Sequence, residues 1–173
     1  MRCLVFFLLF VHLISCNEEK SDFMTENIKF ARAQIGKEIE VIELNGKFIN
    51  PVTLKNDGTV HYGNYTDWRS GFFPGSVWYL YELTGDEKLL SPAQKYTEAI
   101  RNAKDITSHH DVGFMIYCSF GNGLRLTGNP DFKNVITDAA KSLSTRFRSV
   151  PNVLQSWNVT RGWQAQRGWE CPV

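Results

Sequence analysis

Two stretches of this chain are apolar on more sides than one helix face can account for. Each is followed by the same turn and then by a helix that is apolar on one side only. From Gly75 to Thr84, the residues Val77, Trp78, Tyr79, Leu80, Tyr81 and Leu83 leave little polar surface. A helix that is apolar all round is expected to be buried all round. Leu83-Thr84-Gly85-Asp86 ends it, with Gly85 suited to the left-handed cap position. Ser91-Pro92-Ala93-Gln94 then predicts a helix start: Ser91 as cap, Pro92 at the first position and Gln94 closing a capping box. Its apolar face is Ala93, Tyr96, Ile100 and Ala103.

The pattern then repeats. Val112 to Leu126 is again broadly apolar, with Phe114, Met115, Ile116, Tyr117, Cys118, Phe120 and Leu124. Leu126-Thr127-Gly128-Asn129 ends it, and Asn129-Pro130 caps a helix predicted to run to about Arg148. That helix has one stripe: Phe132, Val135, Ile136, Ala139, Leu143 and Phe147. Gly71-Phe72 and Gly113-Phe114 are 42 residues apart, and Gly85 and Gly128 are 43 apart. Buried helices alternating with one-sided helices describe an inner and an outer layer. Helix pairs at this period build either an open solenoid or a closed α/α barrel, and inner helices this apolar favour the barrel. The fold class is therefore all-α, an α/α toroid.

This layout puts the Leu-Thr-Gly turns at one end of the barrel. Asp67-Trp68 and His110-Asp111 precede the inner helices and fall at the other end. Gln155-Ser156-Trp157 comes one repeat later and begins a polar, aromatic and Gly-rich loop. His109-His110-Asp111-Val112-Gly113-Phe114 sets two imidazoles and a carboxylate at the mouth of an apolar run. An acid there is poorly solvated, so its pKa can be moved and used. Asp111 also suits a plain helix N-cap. Trp68 and Trp157 suit either packing or a ligand-facing role.

Elsewhere, residues 22–42 read as a helix, with Met24, Ile28, Ala31, Ile35, Ile39 and Ile42 at three- and four-residue steps. Residues 43–66 keep no period and are punctuated by Gly46, Pro51, Asn56-Asp57-Gly58, Gly63 and Asn64, which predicts a long irregular loop. At the start, Met1-Arg2-Cys3 precedes a run from Leu4 to Ile14 that is apolar apart from His12, short of the roughly 20 residues a membrane span needs. It reads as a signal-peptide core. Leu13-Ile14-Ser15-Cys16 resembles a bacterial lipoprotein box, which makes residues 1–16 a lipoprotein signal ending at a lipidated Cys16 and residues 17–173 the mature domain. The expected product is an exported lipoprotein, periplasmic or anchored to the outer membrane, that meets membrane only through its lipid.

Formal net charge is +1, and removing residues 1–15 takes away Arg2, leaving 18 basic against 18 acidic residues. That balance provides no field for nucleic acid. Aromatic content of 13% in a neutral chain fits core packing for most of these rings, and for the rest a sugar or other small polar ligand, since sugar rings stack on aromatic faces. Cys118 is expected to be a small buried hydrophobe. The Cys and His residues show no metal-ligand spacing, and no cofactor is called for.

Asp67-Trp68-Arg69-Ser70-Gly71-Phe72-Phe73-Pro74-Gly75, Tyr81-Glu82-Leu83-Thr84-Gly85-Asp86, His109-His110-Asp111-Val112-Gly113-Phe114 and Gln155-Ser156-Trp157 occur in this order. Together they resemble the unsaturated glucuronyl hydrolases, glycoside hydrolase family 88, from about residue 22 to Val173. The resemblance implies an (α/α)6 barrel of six helical hairpins, of which five helices are visible. It implies action on oligosaccharides left by polysaccharide lyases, whose non-reducing end is a C4=C5 unsaturated uronic acid, glycosaminoglycan-type disaccharides among them. The family hydrates that double bond, and the hemiketal formed opens and releases the sugar. On the matching positions, Asp111 takes the place of one of the family's two essential aspartates. His110 takes that of its neighbour in the substrate pocket, and Trp68 and Trp157 those of aromatic residues lining the sugar site. The second aspartate follows the segment resembling Gly168-Trp169-Glu170-Cys171-Pro172-Val173, so the chain reads as a truncated N-terminal portion that is inactive alone. Two alternatives are a non-catalytic glycan-binding lipoprotein and a fragment of the sister hydrolases of unsaturated rhamnogalacturonan. The double His before Asp111 argues against the second.

Overall fold

The computed structural model describes residues 2–150 and 152–158, with side chains from Phe23 onward. Residues 1–41 and 42–173 form two separate units. The first is carried by helix α1, Arg2–Leu44, which contains the predicted 22–42 helix and extends it toward the N-terminus. Ile28, Ala31, Ile35 and Ile39 are half-buried along it, while Phe23, Met24 and Phe30 are exposed. The Cys16 side chain lies outside the described residues. Among the described residues no helix is long and apolar enough to cross a membrane.

The stretch 43–66 is not the irregular loop its sequence suggests. It holds an antiparallel hairpin of β1 (Asn50–Leu54) and β2 (Val60–Gly63). A register shift between Pro51 and Thr53 breaks the two-residue alternation that would have revealed a strand. The turn itself has clear chemistry. Gly58 takes φ +81°, and Asp57 Oδ1 accepts from the Thr59 backbone N–H at 2.9 Å and its hydroxyl at 2.6 Å.

The helix pairs follow the predicted order. Helix α2 is Phe72–Thr84, a 3-10 turn covers Glu87–Leu89, and α3 is Leu90–Ala99. The capping box at Ser91 does not form. Asp86 instead accepts from the Lys88 N–H at 3.0 Å, so the chain turns helical sooner, and Ser91 lies inside α3. The expected face is intact, with Ala93, Tyr96, Ile100 and Ala103 all at 0% exposure, the last two beyond α3. The second inner helix is composite: α4 (Val112–Ile116), a π turn (Tyr117–Gly121) and α5 (Asn122–Thr127). Helix α6, Pro130–Ser144, is capped by Asn129 with Pro130 at its first position. It stops before Phe147, which lies exposed in the two-residue strand β3 (Phe147–Arg148), paired with β4 (Val153–Leu154). Two small hairpins are thus added to an otherwise all-α plan.

The two Leu-Thr-Gly turns are built alike, atom for atom. Thr84 and Thr127 hydroxyls each donate to a carbonyl four residues back at 2.6 Å. Each then accepts from the backbone N–H two residues on at 3.2 Å. Gly85 (φ +62°) and Gly128 (φ +68°) occupy the left-handed cap, where any side chain is strained. Glu82 and Arg125 pair between the two turns through contacts of 2.6 and 2.7 Å.

The layers pack as expected: α2 against α3, α4 against α6, and α2 against the π turn and α5. The core between them holds Trp78, Tyr96, Phe120 and Phe132, all at 1% exposure or less. The inner helices are not buried all round. Phe72, Tyr79 and Leu83 on one, and Phe114 and Tyr117 on the other, form exposed apolar stripes. Cys118 is a half-buried free thiol, less enclosed than predicted.

Candidate active site

The residues singled out in the sequence meet at the N-terminal ends of α2 and α4. Two short contacts draw them together. His109 and Trp157 form an isolated antiparallel bridge, and the His110 N–H donates to the Ser156 carbonyl at 2.9 Å. The segment one repeat after Asp111 is thereby laid alongside the His-His-Asp segment.

Asp111 holds the N-cap position of α4, yet its side chain makes no capping hydrogen bond. The carboxylate is turned toward the two imidazoles instead. Oδ2 lies 3.3 Å from His109 Nδ1, and Oδ1 lies 3.4 Å from His110 Nε2. Asp111 is 4% exposed and His109 7% exposed. His109 Nδ1 and Asp111 Oδ2 are close enough to interact but lack hydrogen-bond geometry, and neither finds another partner among the described residues. Burial holds the His109 pKa below its ordinary value. Asp111 opposes that shift, while Arg146 and His110 add to it. His110 is fixed from its other side, with Nδ1 2.9 Å from Ser156 Oγ.

Aromatic rings surround this group. Trp157 stacks on His109 (centroids 5.0 Å, 18° between planes) and meets His110 edge-on at 5.9 Å. His110 contacts Phe114 at 6.3 Å, Phe114 contacts Phe72 at 6.5 Å, and Phe72 contacts Trp68 at 5.8 Å. Trp68 and Trp157, the two predicted sugar-facing residues, therefore close the ends of one aromatic row that passes the carboxylate. Both keep about two fifths of their surface exposed, at 41% and 42%. Asp67, which heads the first repeat as Asp111 heads the second, is committed elsewhere. It forms a two-pronged ion pair with Arg69 at 2.9 Å, which holds its pKa below the usual carboxylate value.

Three contributors were not singled out as site residues. Phe72 and Phe114 mark equivalent points of the repeat, and both face outward. Arg146 follows an amphipathic helix, where a cation ordinarily reads as solvated, yet it is 3% exposed. A cavity of about 430 Å³ beside the site runs between α4 and α6, and among the described residues that line it His110 and Tyr117 have the only polar side chains. His110 and Phe114 line both this groove and the aromatic row, so the two adjoin. Among the described residues no three His, Cys, Asp or Glu side chains converge as a metal site. Trp169, Glu170 and Cys171 lie outside the described residues.

No protein-family profile matches the chain. Its sequence is 36% identical over 170 residues to an unsaturated glucuronyl hydrolase of Formosa agariphila, covering 91% of this chain and 42% of that protein. It is 27% identical over 146 residues to an unsaturated chondroitin disaccharide hydrolase of Streptococcus pyogenes, covering 80% of this chain and 36% of the relative. Its structure superposes on that of an unsaturated glucuronyl hydrolase specific for heparin with a TM-score of 0.63 and 37% identity, over 66% of this chain and 31% of the other. Layered helix pairs with an acidic, aromatic rim give this chain the α/α-toroid plan of its structural neighbours. Over most of its length it is similar to unsaturated glucuronyl hydrolases in sequence and in fold. It spans less than half the length of the relatives it matches.

Proposed function

We propose that this chain forms part of a glycosidase that removes a 4,5-unsaturated uronic acid from the non-reducing end of lyase-generated oligosaccharides. The activity is proposed for the chain within a protein of the relatives' length. One observation carries the reading: a buried carboxylate, Asp111, released from capping, flanked by two imidazoles and set in a row of exposed aromatic rings. Hydration of C4=C5 needs a proton delivered to one alkene carbon and the oxygen of water to the other, with the proton of that water taken up by a base. Asp111 is the carboxyl group placed to handle that proton. His110, pinned by Ser156, contacts the substrate and keeps the carboxylate oriented. Trp68 and Trp157 receive sugar rings on their exposed faces. The names of the relatives point to glycosaminoglycan-type disaccharides.

The test follows the ultraviolet absorbance of the double bond in an unsaturated uronyl disaccharide. Absorbance is expected to fall with the unchanged protein and to persist with Asp111→Asn. Equal rates in the two would remove Asp111 from the chemistry. Binding of the disaccharide with no absorbance change in either would select a glycan-binding role.

Export and lipidation at Cys16 are part of the same proposal. The basic start, the apolar run from Leu4 to Ile14 and the Leu13-Ile14-Ser15-Cys16 box support it. Metabolic labelling with a fatty acid should mark the protein and fail to mark Cys16→Ser.

A further inference from the structure

We infer that Arg146 is a positioning residue for this site: its buried guanidinium fastens residues 155–158 to residues 107–110 and so sets the ring planes of Trp157 and His110. Arg146 sits just past the end of α6, where its backbone N–H donates to Leu143 O at 3.0 Å and its carbonyl accepts from Gln155 N at 2.9 Å. Its side chain then reaches across two segments. Nε donates to Gln155 O at 2.7 Å and Nη2 to Ser156 O at 2.9 Å. Nη1 donates to Thr107 O, and both terminal nitrogens reach Asn158 Oδ1 at 3.2 Å. Trp157 therefore stands between two residues that the same guanidinium holds.

The Ser156 carbonyl joins the two halves of this arrangement. It accepts from Arg146 Nη2 on one side and from the His110 backbone N–H on the other. The hydroxyl of the same residue meets His110 Nδ1. A shift of Ser156 therefore moves His110, and with it the imidazole beside Asp111. Only a planar fork with several donors can serve carbonyls on both segments at once; the ammonium of lysine is a point charge on a flexible stem. The hydrogen bonds described for Arg146 go to Thr107, Gln155, Ser156 and Asn158, so it acts on the site through Ser156 and Trp157.

The experiment uses the full 173-residue chain. Fluorescence of Trp157 is obtained as the difference between the chain and its Trp157→Phe variant, and is followed through the titration of His109. A protonated imidazole stacked on an indole quenches it, so the unchanged chain is expected to show a step of lower emission on acidification. Asp111, His110 and Arg146 are the charged groups that act on His109. Arg146→Lys keeps the charge and Arg146→Met keeps the stem. Both are expected to lose the step while retaining helix content and a cooperative melt. A step that persists in both variants overturns the inference. So does loss of the cooperative melt in both, which would make Arg146 a plain folding residue.

A second arm titrates an unsaturated uronyl disaccharide into the same proteins, and this arm alone rests on the proposed function. Affinity is expected to fall at least about tenfold in Arg146→Lys, the scale of losing one charge-assisted hydrogen bond. If the unchanged chain binds no disaccharide, the functional reading fails and the fluorescence arm still judges Arg146.

Discussion

Asp111 and His110 meet at 3.4 Å, Oδ1 to Nε2, while the other nitrogen of the same ring is taken by Ser156. The carboxylate pays for its burial without capping α4, so it contributes little that an amide of the same shape could not. Asp111→Asn is expected to keep the unfolding free energy within about 1 kcal/mol of the unchanged protein. The proposed hydration should nevertheless fall by about 10²–10⁴, the range for a positioned acid or base. Denaturant midpoints and substrate turnover, measured on one preparation, check both halves. A large loss of stability would mean that the carboxylate is structural.

Acid should destabilise the site through His109. Burial depresses its folded pKa below the unfolded value of 6.5, so the unfolded chain binds the proton more readily. The stability from this residue is fully present above 6.5 and is lost as pH falls through the folded value. Urea midpoints measured across that window should decline toward acid in the unchanged chain. The decline should flatten in His109→Gln, and an unchanged slope in that variant would move the titration to another group.

Gly71 and Gly113 hold equivalent places in the two repeats but tolerate a methyl group differently. A Cβ on Gly71 would fall 2.3 Å from the Met115 carbonyl oxygen, whereas one on Gly113 meets nothing within 4 Å. Gly71→Ala should cost about 1–3 kcal/mol as the inner helices are forced apart. Gly113→Ala should be neutral or stabilise by up to about 1 kcal/mol. Thermal melts of the pair check the contrast.

The core carries one polar bond that can be tested alone. Trp78 Nε1 donates to Thr97 Oγ1 at 2.9 Å, and both residues are at 0% exposure. Thr97→Val keeps the shape but strands the indole N–H, which should cost about 1–3 kcal/mol. A melt within error of the unchanged protein would mean that the indole finds another acceptor.

The layered helix plan was legible because periodicity and turn chemistry agree. Trp78 and Tyr96 pack where their spacing puts them, and both Leu-Thr-Gly turns carry the glycine their backbone requires. The hairpin at Asn50–Gly63 was hidden because a register shift beside Pro51 destroys the alternation of a strand. The start of α3 was misread because Asp86 caps before Ser91 is reached. At the site, Asp111, His110, Trp68 and Trp157 could be picked by residue type and position. The burial of Arg146 could not, since it depends on a segment ten residues later folding back over it. Nor could the outward turn of Phe114, because an apolar residue on an apolar helix gives no hint of which neighbour it lacks.

The π turn at Tyr117–Gly121 resolves a mismatch between the repeats. From Gly71 to Gly85 the chain takes 14 steps, and from Gly113 to Gly128 it takes 15. An extra residue in a continuous α-helix would swing everything after it by about 100°. Arg125 would then rotate away from Glu82, or Phe114 from Phe72. A π turn absorbs the surplus locally, as a single-residue insertion. The second inner helix thus behaves as two rods joined by a slip coupling, one phased to the rim and the other to the far turn. The chemistry at one end and the scaffold at the other can accept changes in length without sharing a register.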